Sequence, residues 1–266
     1  MSAALEQTLA LLAEETRDED KFAGLLLIAK TVRPDDADAV RKVFGAMSFR
    51  FLRRLLLTDH TEGGDERVLQ EVSVSIVASF CDDESMATSP QMVGLAPALF
   101  KLLRSQYVLN WPPPTVFNGA PPPPPPHPTH SIKAALKAEE EELVTNMLRT
   151  LVPMVMNETG SRLFLQQPHA LSRLVKSIGE VSVIANASAV TTLVAGSLVA
   201  MVTHLVANGK AAMDVPVVKE IAKAVPPLAK MFRARQDALK FELLKCLVHV
   251  VKLVYDRVMI IFLFPP

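Results

Sequence analysis

Aromatic residues and glycine are scarce in this sequence: tyrosine occurs twice, tryptophan once and glycine ten times in 266 residues. Leucine, valine and alanine dominate instead, a composition that suits packed helices better than a sandwich or a barrel. With so few glycines there is no phosphate-cradling loop. No nucleophile elbow, paired-cysteine knuckle or zincin helix occurs either. No enzyme activity, cofactor, metal site or catalytic residue is therefore expected. An excess of one charge is also missing. The 28 basic and 28 acidic residues cancel, so no overall field draws the chain to nucleic acid or to an anionic bilayer. The two cysteines, Cys81 and Cys246, lie in separate apolar helical patterns. They read as free buried thiols, in keeping with a reducing, cytoplasmic compartment. The first residues lack a basic stretch and soon meet Glu6, Glu14 and Glu15, unlike a signal peptide.

What is present is helical periodicity. Lys21 to Ala29 is apolar nearly all round, which predicts a helix sandwiched between others. Arg33-Pro34 breaks it, because the ring disfavours helical backbone at the residue before it. A second helix carries Val40, Val43, Phe44 and Met47 on one face, and a third carries Phe49, Leu52, Leu55 and Leu56 inward. Asp35, Asp36 and Asp38 are first-turn acids of the helix after Pro34, since a calcium loop would need a central glycine and a distant glutamate. Further helical patterns run to Gln106 and resume at Ile132. Pro153 and Pro226-Pro227 are expected to interrupt two of them.

Ten of the twenty prolines fall between Tyr107 and His130. Pro121, Pro122, Pro123, Pro124, Pro125 and Pro126 form an unbroken run whose only repeating conformation is polyproline II, extending roughly 19 Å. This insert cannot join a helical core. It divides the chain into residues 1–106, a disordered linker or loop at 107–130, and residues 131–266, the two flanks being parts of one continuous stack. A preformed polyproline helix is a ligand for SH3, WW, EVH1 or profilin-type modules. His127 and His130 lie in the same segment without further ligands, which does not make a zinc site.

Two or three helices in every ~40–47 residues is the armadillo and HEAT rhythm, giving about five or six units here. The expected fold is an all-α, right-handed α-solenoid of armadillo/HEAT-like repeats. Within it, Arg50, Arg53 and Arg54 form a basic face suited to an acidic partner segment. Ala187 to Ala207 runs 21 residues without a charged side chain, long enough to cross a bilayer. Its spacing of Val190, Leu193, Val194, Leu198, Met201 and Leu205 suits a buried central helix better, so no stable membrane insertion is expected. The apolar tail from Val258 to Phe264 leaves open a second reading, a membrane-associated adaptor.

The wording of the N-terminal third adds to its periodicity. Lys21-Phe-Ala-Gly-Leu-Leu-Leu-Ile-Ala-Lys30, Arg41-Lys-Val-Phe-Gly-Ala-Met47 and Phe49-Arg-Phe-Leu-Arg-Arg-Leu-Leu56 resemble the N-terminal region of the neurochondrin family. The likeness continues through Leu69 to Cys81 and Pro90 to Leu99, and returns more loosely at Asp237 to Leu244. The resemblance implies a non-enzymatic protein-binding scaffold. In animals the family is linked to neurite outgrowth and synaptic signalling, partly by restraining phosphorylation of calcium/calmodulin-dependent kinase II. Partners such as kinases or receptor tails follow from that likeness alone. Family members are much longer, so the chain reads as an N-terminal portion or a shortened form.

Overall fold

Short polar residues and prolines cut this chain into helices. A computed structural model describes residues 3–57, 65–107, 138–182, 189–233 and 239–263. Among these residues every regular element is helical. The prolines at 121–126 and the histidines at 127 and 130 lie outside the described residues.

The chain opens with α1 (Ala3–Leu11) and α2 (Asp18–Thr31), the latter carrying three acids in its first turn. It ends before Pro34, as the sequence predicts. Asp36 then caps α3 (Ala37–Ala46), its carboxylate accepting from the Ala39 amide at 3.0 Å. Ser48 does the same for α4 (Phe49–Leu57), accepting from the Phe51 amide at 3.3 Å while its hydroxyl donates to Glu14. After α5 (Asp65–Ser79), Asp83 caps the single turn α6 (Glu84–Ala87), and Ser89 with Pro90 starts α7 (Pro90–Val93). Next come α8 (Ala96–Tyr107) and α9 (Ala138–Leu151), which ends in a 3-10 turn at Pro153, the expected interruption. Asn157 caps α10 (Glu158–Gln166), followed by α11 (Ala170–Ser182) and α12 (Ala189–Asn208). Asp214 caps α13 (Val215–Ala222), and Pro226-Pro227 sit in the first turn of α14 (Val225–Arg233), where missing amides cost nothing. The last helix is α15 (Lys240–Leu263).

The contacts sort these helices into rows. One row runs α2, α5, α9, α12, α15, each packed on the next; a second runs α4, α8, α11, α14. The short helices α3, α7, α10 and α13 precede the members of the second row. Among the described residues the result is four three-helix units, each opening on a short helix and closing on its longest one, preceded by the α1–α2 pair. That is the armadillo plan with fewer units than the five or six anticipated from chain length and period, because the described residues before α3 form only a helix pair. Helices on either side of the proline-rich segment touch directly, α5 and α8 both packing on α9.

Where units meet, polar groups fix the fit. The Asn157 side chain donates to Glu84 at 2.8 Å and to Thr88 at 3.3 Å, joining the cap of α10 to α6. Any Cβ on Gly160 would press into the Met154 carbonyl oxygen, so only glycine permits that approach. Arg104 of α8 pairs with Glu180 of α11 at 2.8 Å. Phe100 and Phe164, both fully buried, meet edge-on at 6.2 Å between centroids.

Three expectations about individual helices need correction. Helix α2 is not enclosed all round: Lys21, Gly24, Leu25 and Ile28 face inward, but Leu26 and Leu27 are exposed. It heads its row, with α5 on one side and no further row member beyond it. In α12, Leu193 is exposed although its spacing placed it in the core. In α4, Phe51 is buried and Phe49 only partly so.

Candidate protein-binding surface

An open apolar groove lies where α2, α3 and α5 converge. Its walls include Ile28 of α2 and Val32 just past its end, Val40 and Val43 of α3, and Val72 and Ile76 of α5, with Pro34 at the turn between α2 and α3. The cavity holds about 170 Å³, comparable with the ~150 Å³ engineered cavity that takes a benzene ring. Pro34 creates this space: by ending α2 it makes the chain turn before α3, and α5 then bridges the two without filling the notch. Ala29 and Ser75 are exposed at its lip. The sequence carried the residues but not the notch, since three elements far apart in the chain supply it.

Beneath the groove the packing is firm. Phe44 meets the buried Phe80 edge-on at 5.2 Å, and Phe49 lies edge-on to Phe44 at 5.2 Å and tilted to Phe80 at 6.4 Å. Lys21, nearly fully buried, is satisfied by donating to the Glu14 carbonyl oxygen at 2.7 Å, with its ammonium 5.8 Å from the Phe51 ring centroid. Asp83, at the cap of α6, accepts from the Ser85 hydroxyl at 2.6 Å and from Arg41 at 3.0 Å. These bonds, Ser85 first and Arg41 second, lower its carboxyl from 3.8 to about 2.

The basic face on α4 is divided. Arg54 is engaged, reaching both carboxylate oxygens of Asp18 on α2 at 2.8 and 2.9 Å. Arg50 and Arg53 are exposed and form no ion pair with a described residue. The two cysteines are free, as expected. Burial, aided by Asp82, pushes Cys81 up to about 12, and burial pushes Cys246 up to about 11, so neither is a reactive thiolate at neutral pH.

His204 and His249 hold structural positions. The His249 Nδ1 donates to the Lys245 carbonyl oxygen at 2.7 Å on α15. Burial lowers His204, with Lys245 acting in the same direction. Among the described residues α12 alone is long and apolar enough to cross a membrane, and 56% of its most apolar window is buried. That burial comes from α9, α11 and α15.

A second apolar surface went unread in the sequence. On α15, Leu243, Cys246, Val250 and Leu253 are buried against the stack, yet Phe241, Leu244, Val248, Val251 and Tyr255 are exposed. The signal was available: two interleaved apolar sets on one helix, offset by nearly half a turn.

Comparison with known proteins bears on the N-terminal region. Residues 1–108 match the neurochondrin family profile. Rat and human neurochondrin are each 37% identical over 105 residues, and a Drosophila melanogaster neurochondrin homolog is 32% identical over 97. The matched segment is 38% of this chain, and the chain spans only 14% of the length of the rat and human proteins. A crystal structure of an engineered protein superposes with a TM-score of 0.51 at 14% identity, covering 94% of this chain and 82% of that one. That likeness bears on the fold and extends it beyond the matched segment. Helices α1 to α8, groove and basic face included, thus lie within the segment that is similar to the neurochondrin family.

Proposed function

We propose that this chain is a non-catalytic, cytoplasmic protein-binding scaffold of the neurochondrin type, which seats an apolar side chain of a partner in the groove between α2, α3 and α5. The groove is the observation that carries this reading. It is apolar, already formed and rimmed by rigid helices, so a partner segment orders little of the host on binding. Arg50 and Arg53 favour a partner segment with acidic residues, by steering its approach. The family likeness extends the reading to roles in neurite outgrowth and synaptic signalling, with kinases or receptor tails as partners. Residues 121–126 add a separate ligand for SH3, WW, EVH1 or profilin-type modules. The packing of α12 among other helices favours this reading over a membrane-anchored adaptor.

The test fills the notch from its lip. Ala29→Trp and Ser75→Trp place an indole over the cavity without replacing a buried side chain. Proteins captured from native lysate by the unaltered chain are compared with those captured by each variant, with circular dichroism as a folding control. Loss of a shared set of partners from both variants is expected; retention of the full set by well-folded variants sinks the groove as the binding site.

A further inference from the structure

We draw no further inference here: the strongest candidate, the exposed apolar face of α15 formed by Phe241, Leu244, Val248, Val251 and Tyr255, carries none, because nothing in the structure shows what covers it.

Discussion

Helices α12 and α15 are neighbours with similar appetites for apolar company and opposite fates. Helix α12 has no charged residue along its 20 positions and is covered by α9, α11 and α15, so its apolarity is spent inside the stack. Helix α15 is longer and interrupted by charges, yet it leaves five large apolar side chains in water. Hydropathy alone ranks α12 as the membrane candidate, but position in the row decides which helix has surface to offer. In a stacked fold the informative quantity is how much of a helix's apolar arc its neighbours cover.

The sharpest way to break this contrast is to put the same charge on both helices. Leu198 of α12 is fully buried. Leu198→Asp strands a carboxylate in an apolar interior and should cost more than about 4 kcal/mol, a large part of the ~5–15 kcal/mol that holds a domain together. The chain should lose its cooperative thermal transition. Val248→Asp on the outer face of α15 should leave stability within about 0.5 kcal/mol, as for an exposed site. Comparable melting losses in the two variants would mean that the outer face of α15 is packed.

A smaller effect sharpens the same comparison from the inner side of α15. Cys246 is buried against the stack, and burial holds its thiol near 11. At neutral pH it should react with a disulfide reagent only as fast as α15 leaves α12 or the chain unfolds. Adding denaturant below the transition should accelerate the reaction with the slope of that opening. Rapid labelling without denaturant would show that the inner face of α15 is as open as the outer one.

The two helices also show how much of the molecule could be read beforehand. The all-α character was visible in Leu52, Leu55 and Leu56 and in the breaks at Pro34, Pro153 and Pro226-Pro227, because periodicity and proline geometry are local. Asp36 and Asp38 were visible as acids at the start of the helix after Pro34 for the same reason, but the bond by which Asp36 caps it was not singled out. The unit count was not, because dividing length by a repeat period assumes that every stretch builds a full unit, whereas the described residues before α3 form only a pair of helices. The groove was hidden because Ile28, Val40 and Ile76 read as ordinary core positions, and only their three-way meeting leaves space between them. The basic face was found as a pattern, but the pairing of Arg54 with Asp18 depends on how α4 lies beside α2. Leu193 was placed in the core since spacing shows which residues share a face and not which face is covered.

The smallest expected effect sits at the contact between the two helices. His204 of α12 is half-buried, and the charged groups facing it are Lys245 and Glu242 of α15. Burial is the larger cause lowering its pKa and Lys245 the second, while Glu242 opposes both. The folded imidazole thus takes up a proton less readily than the unfolded one, whose pKa is near 6.5. As pH falls below that value the unfolded state gains protons first, so stability should decline with pH down to the lower folded pKa and then level off. Replacing His204 by Gln should flatten urea-unfolding midpoints over this window while leaving those above pH 7 unchanged. The Lys245→Gln variant should shift the decline to lower pH only slightly less than in the unaltered chain, because burial and not charge dominates. If His204→Gln left the slope intact, the imidazole would have to be solvated, and α15 would not close over α12 at that turn.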